Sequence, residues 1–147
     1  MAKDGKGTVL SLNEQKVTID GGKFNYWGGR VPLDHELEEK CKEISLQVAE
    51  SLNMDGFFGV DLVLDDNSAY FMEINPRLTT SFIGLSNIME RNLANLLLEK
   101  FENKEKKVNM DFQKYSAIRI PRAKEGIEIE DDQFKGLEKI PEIISPP

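Results

Sequence analysis

Apolar and polar residues alternate early in the chain and recur at helical spacing after that. The alternation is clearest in "TVLSLNEQKVTIDGGKFNYWGG", where Gly21-Gly22 is placed as a turn, and it predicts short antiparallel strands. The apolar residues that follow step by three or four positions, which predicts a helix over about residues 35 to 53 with Asp34 as its N-cap. The polar, glycine-containing "MAKDGKG" predicts a flexible start over residues 1–8.

The second half of the chain predicts further strands and a second helix. Two strands joined by turn-forming residues are predicted in "GFFGVDLVLDDNSAYFMEINP". Beyond Arg77, apolar residues at helical spacing predict a helix over about residues 82 to 100. Two more strands are predicted in "YSAIRIP" and "GIEIE", and prolines stop regular structure in "IPEIISPP". These elements indicate an α+β fold, an antiparallel sheet with helices packed on one face.

Composition and charge narrow the classes of protein. With 147 residues, 39% of them hydrophobic, the chain can bury one modest core, so we expect one domain over residues 9–147. A net charge of −7 argues against nucleic acid as a partner. No apolar run approaches the ~18 residues that span a bilayer, and "MAKDGKGTVL" lacks the apolar core of a signal peptide. Together with the single cysteine, these features predict a soluble, reduced, cytoplasmic protein without membrane contact.

Three features that could carry chemistry have simpler interpretations. His35 stands at a predicted helix start, where a solvated or capping role is commoner than catalysis. Cys41 lies on the apolar stripe of that helix, which favours a core residue over a nucleophile. Gly28-Gly29 lacks the context of a phosphate-binding loop and predicts a turn.

Polar side chains converge at the end of the strand that contains "YFMEINP". Alternation places Ala69, Phe71, Glu73 and Asn75 on one face, and Asp61 is the lone charge of the preceding strand. If Asp61 pairs with Glu73, the loop between the strands must have an odd number of residues, most simply residues 66–68.

Two chemical interpretations of this cluster stay open from the residues alone. Two carboxylates and an amide oxygen form a hard site that suits Mg²⁺ shared with nucleotide phosphates. The alternative is a hydrogen-bonded polar trio, Asp61, Glu73 and Asn75, at a sheet edge.

The residues that follow the strand offer positive charge and hydroxyls. Arg77 could meet charge that develops on a transferred phosphoryl group, or it could form an exposed ion pair. The hydroxyls of Thr79, Thr80 and Ser81 stand at a helix start, where free N–H groups favour an anion such as a substrate carboxylate or acyl phosphate. The same hydroxyls could equally be an N-cap cluster.

The stretch "GFFGVDLVLDDNSAYFMEINPRLTTS" resembles the C-terminal lobe of the ATP-grasp superfamily. With "LNEQKVTIDGGKFNYWGGRVPLDH" upstream and "IPEIISPP" downstream, the chain is similar to the tyramine-glutamate ligase branch and related archaeal proteins. The resemblance implies that Asp61, Glu73 and Asn75 bind ATP together with Mg²⁺ or Mn²⁺. It also implies that Arg77 contacts the transferred phosphoryl group or the acyl phosphate.

The resemblance implies part of an enzyme: an ATP-dependent ligase that joins a carboxylate, through an acyl phosphate, to an amine, such as glutamate to tyramine. Its partners would be ATP, both small-molecule substrates, and a second ATP-grasp lobe or subunit, including another copy of the chain. The lysines and glycine-rich loop of the first ATP-binding lobe and a preceding substrate domain are not visible here. The alternative is a non-catalytic nucleotide-binding or regulatory module that retains the fold of the lobe and binds a partner.

Overall fold

The computed structural model describes residues 1–103, 112 and 114–120. The α+β class is confirmed, and the strands pair antiparallel in three small sheets, β1–β2, β3–β4–β7 and β5–β6. In chain order the elements are β1 (Ala2–Lys3), β2 (Lys6–Gly7), β3 (Glu14–Asp20), β4 (Lys23–Val31), α1 (Glu38–Ser51), β5 (Gly59–Leu64), β6 (Ala69–Asn75), α2 (Thr80–Ile88), α3 (Leu93–Phe101) and β7 (Ser116–Arg119). The strand predicted at residues 126–130 and the proline-containing segment at 140–147 lie outside the described residues.

The start of the chain, where the sequence predicted a flexible segment and no strand, forms a hairpin of two short strands. Strands β1 and β2 are joined by Asp4 and Gly5, both in the left-handed region with φ of 49° and 71°. The Asp-Gly pair is a sequence signal for a two-residue hairpin turn. Ala2 also exchanges two backbone hydrogen bonds of 2.9 Å with Gly56, so the hairpin is tied to the segment that precedes β5.

A buried cluster of apolar side chains joins the start of the chain to α2 and α3. Its members are Met1, Leu10, Val31, Leu85, Leu93 and Leu96. Leu96 is 2% exposed, and burying a side chain of this size contributes about 1.5 to 3 kcal/mol. Cys41 is buried on α1 as predicted, and burial raises the pKa of its thiol, which opposes thiolate chemistry.

The N-terminal side of α1 differs from the predicted cap. The N-cap of α1 is Leu37 and not Asp34, whose Oδ2 accepts the Tyr115 hydroxyl at 2.9 Å. His35 instead accepts the Leu37 N–H at Nδ1, at 3.1 Å, in the turn before the helix. His35 is exposed, which agrees with the solvated interpretation, whereas α1 has no side-chain cap and begins later than predicted, at Glu38.

The helix expected over residues 82 to 100 is two helices, α2 and α3, separated at residues 89–92. Asn92 explains the new start, because its side-chain oxygen accepts the N–H groups of Ala94 and Asn95. Apolar residues continue at similar spacing through the break, so the pattern alone did not reveal it. None of the helices in the described part of the chain is long and apolar enough to cross a membrane.

Gly28 and Gly29 lie inside β4, which corrects their prediction as a turn; the turn is at Gly21-Gly22 as expected. Gly28 has a φ of 113° beside a β-bulge. A Cβ at Gly28 would overlap the Ile118 carbonyl of β7, and one at Gly29 would overlap the carbonyl of Glu14 in β3. The glycines thus allow β4 to pair on both sides.

We expect Gly28→Ala to destabilise the chain by ~3 kcal/mol or more, since it adds a backbone overlap to a left-handed conformation. Gly22→Ala is the matched control: its φ is 76°, but a Cβ there meets nothing within 4 Å. The control should cost only about 1 to 2 kcal/mol. Urea midpoints measured for both variants test the difference, and equal losses would show that the close approach of β7 to β4 is not limiting.

Candidate active site

Strands β5 and β6 pair so that Asp61 stands opposite Glu73. The odd-numbered loop expected to produce this pairing is wrong, because residues 65–68, four in number, separate the strands. A β-bulge after Asp61 corrects the parity: Leu62 pairs with Phe71, and Met72 is left as the extra residue. The four-residue loop is closed by the Asp65 side chain, whose Oδ1 accepts the N–H groups of residues 67 and 68 at 2.9 and 2.7 Å.

The bulge also changes which residues of β6 share a face. Paired residues in antiparallel strands lie on the same face, so Phe71 goes with Leu62, while Glu73 goes with Asp61. Ala69 and Phe71 therefore lie on the face opposite Glu73, contrary to the uninterrupted alternation expected from the sequence. Asp61, Glu73 and Asn75 still share one face, because the bulge lies between these residues and the loop end of the hairpin.

Asp61, Glu73 and Asn75 are brought together by this register. The Asn75 amide donates from Nδ2 to Asp61 Oδ2 and to Glu73 Oε1, each at 3.2 Å. The other oxygen of Asp61, Oδ1, accepts from Gln15 Nε2 of β3 at 2.9 Å. Gln15 was missed by the sequence analysis, because a glutamine on an alternating strand carries no signal of its contact across to another sheet.

The negative charges of the two carboxylates, Asp61 and Glu73, repel each other. Burial raises the pKa of Asp61, and the charge of Glu73 and a hydrogen bond with Glu73 raise it further. Hydrogen bonds from Gln15 and Asn75 act in the opposite direction but do not reverse the shift. The site is therefore short of positive charge, which is the condition that a divalent cation would relieve.

Arg77 lies beside this cluster. Its guanidinium donates to Asn75 Oδ1 at 3.4 Å and to the Leu78 carbonyl at 3.2 Å. Within the described ranges Arg77 forms no salt bridge, so the structure does not support the exposed ion pair considered for it. Its guanidinium lies beside the polar cluster, next to Asn75.

The three hydroxyl residues begin α2, with Thr79 as the N-cap. Thr79 makes no side-chain capping hydrogen bond, unlike Asn92 at the start of α3. Its γ-methyl instead packs on Gly59, where a Cβ would lie only 2.7 Å from Thr79 Cγ2. This contact holds the start of α2 against the end of the β5–β6 hairpin, and Thr80 and Ser81 follow in the first turn.

An open cleft of about 720 Å³ collects all of these groups. One wall is the polar cluster of β5–β6 with residues 77–81, and the other is the apolar side of β3–β4, including Val17, Phe24 and Tyr26. Phe24 is 77% exposed, so this wall presents apolar surface to the cleft. The cleft combines an apolar side with a charged side.

The donor set fits a hard divalent cation. No three His, Cys, Asp or Glu side chains in the part of the chain described here are grouped to share a metal ion. Asp61 and Glu73 supply two carboxylates, and a third protein ligand would be the oxygen of Asn75. Oxygen ligands of this kind suit Mg²⁺ or Mn²⁺, which keep several waters and share phosphate oxygens.

Residues 1–81 match the ATP-grasp domain family. The chain belongs to the ATP-grasp family. The matched segment contains the whole polar cluster and ends in the first turn of α2. It also includes the hairpin of residues 1–8, so this hairpin is part of the ATP-grasp match.

Relatives of this ATP-grasp chain are found among archaeal ligases. Tyramine–L-glutamate ligase of Methanocaldococcus jannaschii is 32% identical over 108 residues, 73% of this chain and 33% of the relative. The protein of that name from Methanocaldococcus fervens is 34% identical over 97 residues, 65% of this chain and 31% of the relative. Tetrahydromethanopterin:alpha-L-glutamate ligase of M. jannaschii is 37% identical over 73 residues, 50% and 24%. The chain thus spans a third or less of these relatives, and no solved structure matches it significantly.

The raised pKa of Asp61 predicts a pH-dependent term in the stability of the metal-free chain. A carboxyl that binds its proton more tightly when folded stabilises the fold below its unfolded pKa, and this stabilisation is lost as pH rises through the folded pKa. We expect Asp61→Asn to raise the Tm relative to wild type only above that pH window. The gain should be below about 1 kcal/mol, because Asp61 is partly exposed.

Thermal unfolding in EDTA across a pH series tests this expectation, with Asp20→Asn at the exposed end of β3 as the matched charge-removing control. A Tm difference between Asp61→Asn and wild type that does not change with pH would contradict it.

Proposed function

We propose that this chain is the ATP- and magnesium-binding lobe of a ligase that activates a carboxylate as an acyl phosphate and joins it to an amine. The observation that carries the proposal is the contact of Asn75 Nδ2 with both Asp61 and Glu73, next to the guanidinium of Arg77. These four residues lie within the ATP-grasp match. Relatives named tyramine–L-glutamate ligase support glutamate and tyramine as the pair to test first.

Asp61, Glu73 and Asn75 would hold Mg²⁺ or Mn²⁺ against ATP. The bound ion would neutralise charge on the ATP phosphates during transfer of the terminal phosphoryl group. In the ion-free arrangement the Asn75 N–H donates between the two carboxylates, and this contact keeps the three side chains together. Because Nδ2 faces the carboxylates and Oδ1 faces Arg77 here, the Asn75 amide would have to turn over to bind the cation through Oδ1.

Arg77 is the residue that we propose to act on the reacting group. A guanidinium beside the cation ligands can offer two parallel N–H donors to phosphoryl or acyl phosphate oxygens. Stabilisation that is aimed at developing charge lowers the barrier more than stabilisation of the ground state. Its donation to Asn75 at 3.4 Å is long, so little is lost when a substrate oxygen replaces that contact.

Thr79, Thr80 and Ser81 would contact the substrate carboxylate or its acyl phosphate. The uncapped start of α2 presents backbone N–H groups, which together with the helix dipole favour an anion. The contact of Thr79 with Gly59 keeps this helix start next to Asn75. The apolar wall of β3–β4 across the cleft suits the base of a nucleotide.

The ligase is proposed to be completed by a second ATP-grasp lobe, as part of a longer chain, a separate subunit or another copy of this chain. Binding of ATP phosphates from one wall of an open cleft leaves the nucleotide largely exposed, and enclosure excludes water from phosphoryl transfer. We propose that residues 9–147 belong to the C-terminal lobe, and the family match that begins at residue 1 supports adding the hairpin of residues 1–8 to it. Small-molecule chemistry of this kind fits a cytoplasmic location.

The cation site is tested by titrating the 147-residue chain with Mn²⁺ and Mg²⁺ by calorimetry, with and without ATP. We expect weak cation binding that ATP tightens modestly, and a loss of ~10-fold or more in affinity with Glu73→Gln, because one charged ligand is removed. Glu50→Gln, an exposed carboxylate at the end of α1, is the matched control and should bind as wild type does. Tight nucleotide binding that Glu73→Gln leaves unchanged would refute the site.

The role of Arg77 is tested in the complete ligase by amine-dependent phosphate release at saturating magnesium. Arg77→Ala should leave ATP binding nearly intact and lower the rate of acyl phosphate formation by on the order of 10²-fold or more. Arg77→Lys should restore only part of the rate, because a point charge cannot reproduce a bidentate contact.

If Arg77→Ala reacts at the wild-type rate while Glu73→Ala is inactive, the cation site stands and the proposed role of Arg77 is withdrawn. If the complete protein binds ATP and Mg²⁺ but releases no phosphate with any amine and acid tested, the chain is a nucleotide-binding regulatory module instead.

A further inference from the structure

A hydrogen bond between two separate sheets reaches the candidate cation site. Gln15 belongs to β3 of the three-stranded sheet. Its Nε2 donates to Asp61 Oδ1, in β5 of the two-stranded β5–β6 sheet, at 2.9 Å. Both residues line the cleft, so this bond crosses between its two walls. Asp61 is therefore held from both sides, by Gln15 on Oδ1 and by Asn75 on Oδ2.

The strands are shaped to make this contact. Gln15 pairs with Gly29 immediately before the bulge in the β3–β4 ladder, and Asp61 pairs with Glu73 immediately before the bulge in the β5–β6 ladder. Bulges bend a strand, increase its twist and redirect the adjacent side chains. Each of the two residues joined by this hydrogen bond therefore lies next to a β-bulge, one in each sheet.

We propose that Gln15 is a positioning residue that orients the Asp61 carboxylate for the divalent cation. This inference rests on the proposed cation site and extends it to the β3–β4 hairpin. A carboxylate with one oxygen fixed by an amide N–H keeps the other oxygen directed toward Glu73 and Asn75. Without Gln15, Asp61 can rotate away from the like charge of Glu73, and the ligand geometry is no longer formed in advance.

The size of the expected effect follows from known outer partners of metal ligands. Hydrogen-bond donors that orient a ligating side chain typically contribute 10- to 100-fold to metal affinity. Gln15 is exposed, and its contact crosses the cleft rather than filling a core, so its removal should affect cation binding more than folding. This difference between affinity and stability distinguishes a positioning role from a structural one.

The test compares Gln15→Met with Gln47→Met in the 147-residue chain, with Mn²⁺ alone as the probe. Methionine keeps the length of the side chain but cannot donate, and Gln47 is an exposed glutamine of α1 that contacts Glu43. Electron paramagnetic resonance of free Mn²⁺ gives the dissociation constant, and thermal unfolding in EDTA gives the metal-free Tm. Gln15→Ala is measured in parallel in case the methionine variant fails to fold.

We expect Gln15→Met to raise the Mn²⁺ dissociation constant by about 10-fold, while its metal-free Tm equals that of Gln47→Met within experimental error. If Glu73→Gln weakens Mn²⁺ binding but both Gln15 variants bind as wild type does, the cation site stands and the role of Gln15 is overturned. A lowered metal-free Tm with unchanged affinity would make Gln15 a structural residue and overturn the inference equally. Mn²⁺ binding that is insensitive to Glu73→Gln would remove the cation site, and the inference with it.

Discussion

The mutual repulsion of Asp61 and Glu73, which pairing places opposite each other on neighbouring strands, is the constraint on which the rest of the site depends. Like charges directly opposite in an antiparallel pair destabilise a hairpin. The chain accepts this cost and surrounds the pair with amide donors, Asn75 between the carboxylates and Gln15 on the far side of Asp61. The repulsion within this cluster opposes folding of the free chain, and this supports the proposed cation site.

The β-bulge after Asp61 shows how local irregularity serves this arrangement. A regular hairpin with the four-residue loop would put Asp61 and Glu73 on opposite faces, since side chains alternate along each strand. The sequence could predict which residues converge, because their types demanded a common partner. It could not predict the β-bulge, because a bulge can compensate for a change in loop length and neither leaves a signal in the composition of the strands.

Other differences between sequence and structure have similar physical causes. The alternation of β3 and β4 and the apolar stripe of α1 were readable, because each requires only a local period. The break before α3 and the strand position of Gly28 were not, because one depends on a side-chain cap within an apolar run and the other on how closely β7 approaches. Gln15 was hidden for the same reason, since its partner is 46 positions away in sequence.

The composite construction of the site links its chemistry to the packing of the fold. Asp61 and Glu73 come from one sheet, Gln15 from another, and the start of α2 is held by the contact of Thr79 with Gly59. A cation that bound these carboxylates would therefore occupy a site to which all of these elements contribute, and binding only to the folded state would add to stability by mass action. The repulsion between Asp61 and Glu73 in the free chain would therefore favour cation binding, because a bound cation relieves that repulsion.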